Sequence, residues 1–180
     1  CDLNKIEWVI AVPHNIIGPR QKYDDPFRNV VSIMINRMLQ GKAPIIYGDG
    51  EQTRNFSDVD DCIYCLDKLV TDKKIVSQTF NIGPDEDSIS INELYKILCN
   101  KLQFNEQAEY VKDRPNEVRH AICSSDKARK YLNYKTSVKL SDSIDKVVNF
   151  IKSKGPKKFE YNYELEINND LTPETWKNKQ

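Results

Sequence analysis

The chain has 180 residues, enough for one sizeable domain or two small ones. Its 27 Lys and Arg balance 27 Asp and Glu, which excludes a general polyanion binder, whose domain is usually strongly basic. Hydrophobic residues at 39% and charged residues at 30% are too apolar a mixture for a disordered chain, and no apolar run approaches the roughly 18 residues of a membrane span.

Ile6 to Val12 is a nearly continuous, β-branched apolar run, the pattern of a strand buried on both faces. Pro13 stops it. His14 to Asp25 reads as a loop, punctuated by Gly18-Pro19. Asp25 and Pro26 read as N-cap and first position of a helix. That helix carries Val30, Val31, Met34, Ile35, Met38 and Leu39 on one face and ends at Gly41. Pro44 to Tyr47 is a short strand, Gly48-Asp49-Gly50 a turn, and Thr53 to Ser57 extended. Asp58 caps a helix whose apolar positions are Val59, Cys62, Ile63, Leu66 and Val70. Thr79 to Ile82 is a strand closed by Gly83-Pro84.

Ser90 and Glu93 have capping-box spacing ahead of a helix burying Ile91, Leu94 and Leu98. A short strand near Tyr110-Val111 and a loop with Arg114-Pro115 follow. Ser124 or Ser125 opens a short helix ending near Leu132. Leu140, Ile144, Val147, Val148 and Ile151 mark a last helix, stopped by Gly155-Pro156. In the tail, Phe159, Tyr161, Tyr163, Leu165 and Ile167 alternate with polar residues, a period-two strand pattern. Strands alternating with helices define an α/β chain.

The chain begins at Cys1 without the layout of a signal peptide, which predicts a start inside a longer protein or a processed one. Five cysteines without framework spacing suit free thiols in a reducing cytoplasm. Cys62-x-x-Cys65 lies inside an amphipathic helix. A redox pair needs a helix N-terminus and a zinc site a second pair, so both are read as core thiols. His14 and His120 are too few and too distant for a metal cluster. Asp60 and Asp61 are read as acids favoured at a helix N-terminus. Trp176 and Tyr163 are read as packing residues.

Three positions suggest binding chemistry. Asn15 follows the first strand, and ligands of α/β sheets gather at the carboxyl ends of strands. Arg54 follows the glycine-rich turn, and Arg114 sits in a later loop. Guanidinium forks match phosphate oxygens, so two from separate loops could clamp a pyrophosphate. On spacing alone a surface salt bridge is the commoner role for each arginine.

Six strings occur in order: PHNIIGPRQ (Pro13 to Gln21), IIYGDGEQTRNFSDVDD (Ile45 to Asp61), FNIG (Phe80 to Gly83), SINEL (Ser90 to Leu94), RPNEV (Arg114 to Val118) and SSDKARKYLNY (Ser124 to Tyr134). Over residues 6 to 152 the chain resembles the C-terminal half of the extended short-chain dehydrogenases, the NAD-dependent nucleotide-sugar epimerase/dehydratase group. The resemblance implies the C-terminal part of a Rossmann-type enzyme, mainly its smaller substrate-binding domain plus one strand of the parallel sheet. Residues 1–20 would supply the terminal strand and loop, 21–154 the nucleotide-sugar region, and 155–180 an extended tail with one strand.

The same resemblance implies roles. Asn15 would meet the diphosphate-sugar end of the substrate, with Asn29 near its phosphates. Ile46 and Tyr47 would hold the uracil or thymine. Arg54 and Arg114 would bind the diphosphate, and Glu117 the ribose hydroxyls. Pro13 and His14 would line the nicotinamide of NAD. The implied activity is that of a UDP-sugar 4-epimerase acting on a UDP-sugar. A nucleotide-sugar 4,6-dehydratase, a UDP-glucuronate decarboxylase and a non-catalytic binding or assembly fragment are the alternatives. A homodimer or other oligomer in the cytoplasm is expected, with no nucleic-acid or membrane partner and no metal.

The sequence departs from the family in two ways. Val12 stands where the family usually has Arg. No G-x-x-G-x-x-G occurs, and neither Tyr64/Lys68 nor Tyr131/Lys135 sits in the place of the family's catalytic Tyr-x-x-x-Lys pair. The chain alone is therefore expected to be inactive. Its first strand is expected to be paired across a dimer, swapped, or covered by the tail strand, because proteins avoid bare apolar edges.

Overall fold

A computed structural model describes residues 1–84, 88–161, 164–166 and 168–177. A short 3₁₀ turn, Asp2–Asn4, precedes strand β1 (Val9–Pro13) and β2 (Ile16–Ile17). Helix α1 (Val30–Leu39) leads to β3 (Ile45–Tyr47), β4 (Thr53–Arg54) and β5 (Ser57–Asp58). Then come α2 (Val59–Thr71), β6 (Gln78–Ile82), β7 (Ile89–Ser90) and α3 (Ile91–Leu102). The chain closes with β8 (Glu109–Val111), β9 (His120–Ala121), α4 (Asp126–Leu132), α5 (Leu140–Lys154) and α6 (Glu174–Lys177).

The strands pair across long stretches of sequence. β1 runs parallel to β6, Val9 opposite Gln78 and Pro13 opposite Ile82. β2 is parallel to β5, β3 to β8, and β4 to β9, while β7 closes antiparallel on β4. Two apolar cores result. One gathers Val31, Met34 and Ile35 of α1, Leu94 and Leu98 of α3, and Ile144, Val147 and Ile151 of α5. The other packs Cys62, Cys65 and Leu69 of α2 against Phe80 and Ile82 of β6 and Ala128 and Leu132 of α4.

Local chemistry sets several boundaries. Ser90 and Glu93 form the reciprocal capping box that their spacing predicts. The Asp58 side chain accepts the Asp60 amide and caps α2. It is fully buried, and it also accepts from the Ser143 hydroxyl (2.5 Å) and the Lys146 ammonium (3.3 Å). One carboxylate thus fastens α5 to the start of α2.

Four expectations need correction. Asp25-Pro26 does not start α1. Asp25 accepts the Phe27 amide in a turn, and Asn29 caps the helix through the Val31 amide. Two cap-like residues stand four positions apart, and the apolar face of the helix begins only at Val30.

Second, α2 buries Cys62, Cys65 and Leu69, while Ile63, Leu66 and Val70 are exposed. Apolar residues run around this helix in two stripes. The side facing β1, β6 and α4 is the one containing the cysteines.

Third, β1 is not buried on both faces: Ile10 is 48% and Val12 44% exposed. Its one partner strand among the described residues is β6, and the described residues of the tail do not pair with it.

Fourth, none of residues 159–161 or 164–166 is in a strand, and Tyr163 and Ile167 lie outside the described residues. The tail instead docks by single contacts. The Glu160 amide donates to Asp24 O (2.8 Å), and the Lys157 backbone and Asn36 side chain exchange two hydrogen bonds of 2.8 and 2.9 Å. Alternation supplies an apolar face, but a strand also needs a ladder partner, and aromatic side chains found pockets instead.

Candidate nucleotide site

The glycine turn after β3 organises the site. Gly48 has φ +64°, and a Cβ there would sit 1.8 Å from Asp113 Oδ1, so only glycine fits without rearrangement. The Gly48 amide donates to Val111 O, and Arg119 grips Asp49 with two bonds of 2.7 and 2.9 Å. That grip holds the Asp49 carboxyl below its ordinary range. The Thr53 amide donates to Arg119 O (2.8 Å). These ties bring the loop between β8 and β9, which carries Arg114 and Glu117, onto the segment that carries Tyr47 and Arg54.

The result is a cavity of about 270 Å³ whose lining includes Asn15, Asn29, Ile46, Tyr47, Arg54, Arg114 and Glu117. Residues from a hundred positions of sequence thus share one wall. The Met34, Ile46, Phe56 and Ile91 side chains give it an apolar floor. Arginines and amides form the polar part of the wall, the mixture of apolar surface and a few placed polar groups that small-molecule sites use.

Each polar group has a definite state. Arg54 donates from Nη2 to Glu117 Oε1 (2.9 Å) and from Nη1 to Thr53 O (2.7 Å). Arg54 and Glu117, given separate roles by the resemblance, are therefore an ion pair, 16% and 25% exposed. The Arg114 guanidinium lies over the Tyr47 ring at 4.1 Å. Among the described residues its buried Nε has no hydrogen-bond partner. Asn29 spends Oδ1 on its cap. Asn15 takes a positive φ of 41° and donates from Nδ2 to Asn55 O (2.9 Å), beside His14 Nε2 at 3.1 Å.

Pro13 and His14 are outside the lining. Pro13 is exposed at the end of β1, and His14 Nε2 is 3.0 Å from Ala121 O. Neither supplies a phosphate cradle, and the sequence contains no glycine-rich one. The described residues therefore do not by themselves fit a whole dinucleotide.

Sequence reasoning missed part of the lining. Arg37 lies one turn beyond Met34 on α1 and donates to Ala43 O (2.8 Å); burial pulls its guanidinium below its ordinary value. Gln52 donates to Tyr47 O (3.1 Å) and fixes the strand end. Phe159, Tyr161 and Thr175 arrive from the tail. Arg37 could have been found from its place on the Met34 face. Nothing local announces the tail residues, apart from an unusual density of aromatics.

The remaining singled-out residues do structural work. Burial pushes the Cys65 thiol up to about 12, and Cys62 is buried beside it. Asp60 pairs with Lys146 (2.7 Å), and Asp61 accepts from the Ser137 amide (3.1 Å). Trp176 packs edge-on to Phe27 at 5.0 Å.

The parallel α/β pairing and an arginine-rich cavity at strand ends define the class. Residues 1–83 match the NAD dependent epimerase/dehydratase family. It is 30% identical over 146 residues to the UDP-glucose 4-epimerase of Mycolicibacterium smegmatis, covering 79% of this chain and 44% of that one. It is 31% identical over 148 residues to a dTDP-glucose 4,6-dehydratase of Escherichia coli, covering 78% and 39%. Among solved structures, the UDP-glucose 4-epimerase of Thermotoga maritima with UDP-glucose matches with a TM-score of 0.78 and 27% identity, over 83% of this chain and 47% of that chain. The chain spans less than half the length of each of these proteins.

Proposed function

We propose that this chain is the nucleotide-sugar-binding portion of an NAD-dependent UDP-sugar 4-epimerase. One observation carries the reading: Arg54 and Arg114, from separate loops, line a single cavity with Asn15, Asn29, Ile46, Tyr47 and Glu117. Two guanidiniums suit a diphosphate, a carboxylate suits a ribose diol, and a strand end with an aromatic ring suits a base. Holding the remote nucleotide would orient the sugar ring, so that binding energy serves the chemical step. A bound NAD would supply a hydride acceptor and donor for the sugar ring. Pro13 and His14 would meet its nicotinamide side. The bound sugar would lie at the Asn15 end of the cavity.

Calorimetric titration of the full chain tests the reading. Saturable binding of UDP, with uridine much weaker, is expected. Absence of UDP binding at millimolar concentration would refute it. A dehydratase reading is the second candidate, favoured by the similarity to dTDP-glucose 4,6-dehydratase. It predicts that dTDP binds more tightly than UDP in the same titration.

A further inference from the structure

The resemblance to the family ends near residue 152, yet the cavity wall does not. Phe159, Tyr161 and Thr175 from the segment beyond α5 line the same space. The Thr175 hydroxyl meets the Tyr47 hydroxyl at the tip of the ring that carries Arg114. The segment is held beside this contact by Trp176, edge-on to Phe27 at 5.0 Å, and by Phe27 in turn against Tyr161 at 6.3 Å.

Arg54 and Arg114, two of the cavity's arginines, are fixed by different means. Arg54 is oriented by hydrogen bonds to Glu117 and Thr53. Arg114 makes no guanidinium hydrogen bond or ion pair among the described residues, and its Nε is buried. What orients its fork is the stack on Tyr47 at 4.1 Å. A stack orients a cation only while the ring itself stays still. Tyr47 sits at the last position of a three-residue strand, and its hydroxyl end is held by Thr175.

We propose that Thr175 is a positioning residue for the diphosphate-binding arginine: its hydroxyl fixes the Tyr47 ring, and the ring aims the Arg114 guanidinium at the phosphates of a nucleoside diphosphate. This rests on the nucleotide reading above, and it extends the site into a segment outside the region of family resemblance. Tyr47 is the intermediary, so the loss of either hydroxyl has the same consequence. The base end feels little, because the ring itself is retained.

The experiment is a double-mutant cycle on the full chain, with UDP and uridine as ligands in calorimetry. Thr175→Val keeps the side-chain shape and removes the hydroxyl. Tyr47→Phe keeps the ring and removes the other hydroxyl. One hydrogen bond of ordinary net strength corresponds to a loss of about 2- to 12-fold in UDP affinity. Each single variant should show that loss, the double variant should show no more, and uridine affinity should stay unchanged in Thr175→Val. Thr175→Ser should restore UDP binding, and the melting temperatures of all variants should stay within a few degrees of the unaltered chain. Additive losses, equal losses for uridine and UDP, or no loss would overturn the proposal while leaving the nucleotide reading intact. If the unaltered chain fails to bind UDP, the nucleotide reading falls and takes this proposal with it.

Discussion

Arg54→Ala separates a phosphate site from a surface ion pair. In the structure the Arg54 fork already makes a 2.9 Å bond to Glu117 and a 2.7 Å bond to Thr53 O. A diphosphate entering the cavity must take over or share the Nη2 donor, so the net gain is about one charge-assisted hydrogen bond rather than two. Such a bond is worth about 1.5–3 kcal/mol, or roughly 12- to 150-fold in affinity. Alanine loses that and leaves the Glu117 carboxylate facing the phosphates without its partner. Calorimetry at fixed ionic strength should therefore show UDP losing most, UMP less, and uridine within about twofold of the unaltered chain. Adding Glu117→Gln to Arg54→Ala removes the unpaired charge, keeps a carbonyl oxygen for the ribose diol, and should recover part of the UDP affinity. Equal losses for uridine and UDP, or an unchanged UDP affinity, would refute the assignment of Arg54 to the diphosphate.

Two further outcomes concern the scaffold. Asp58→Ala removes a fully buried carboxylate that caps α2 and takes the acceptor from the Ser143 hydroxyl, while Lys146 keeps Asp60; urea unfolding should show a loss of about 1–3 kcal/mol, and Asp58→Asn, which keeps a capping oxygen, should lose less. Glu93 accepts the Ser90 amide at 2.7 Å, and that bond holds its carboxyl below the ordinary 4.5. A carboxyl depressed in the folded state stabilises above its ordinary value and stops doing so as pH falls through the folded one. Glu93→Gln should therefore melt lower than the unaltered chain at pH 7, and the two melting curves should converge as pH drops below about 4. A gap that persists or widens in acid would contradict the capping-box account.

What could be read from the sequence follows how local each signal is. The Ser90–Glu93 box and the Asp58 cap each involve residues within one turn of helix, so spacing alone reveals them. Gly155-Pro156 ends α5 for the same local reason. The start of α1 was harder, because Asp25-Pro26 and Asn29 both have cap chemistry and only packing of the Val31 face chooses between them. The buried face of α2 was hidden by its second apolar stripe. In the site, Arg54 and Arg114 were visible through motif strings, but their unlike environments were not. One is bonded to Glu117 and the other stacked on Tyr47, and both facts arise from contacts 60 or more residues apart. The tail is the extreme case. Its alternation spelled a strand, whereas its aromatic side chains and Thr175 answer to pockets formed by residues 23 to 47.

The cavity is assembled from Asn15 near one end of the chain to Thr175 near the other, and the parallel pairings that frame it join segments 40 to 70 residues apart. Loops of that length must close before any pairing rewards them, so the polypeptide is expected to reach its native state slowly. A chain folded only in its first half lacks Arg114, Glu117 and the tail residues of that lining. A nucleotide that binds there recognises only the finished molecule and raises its stability by mass action. Ligand affinity in this protein is thus also a measure of completed folding, and a variant that arrests either terminus should lose the small-molecule signal before it loses its helices.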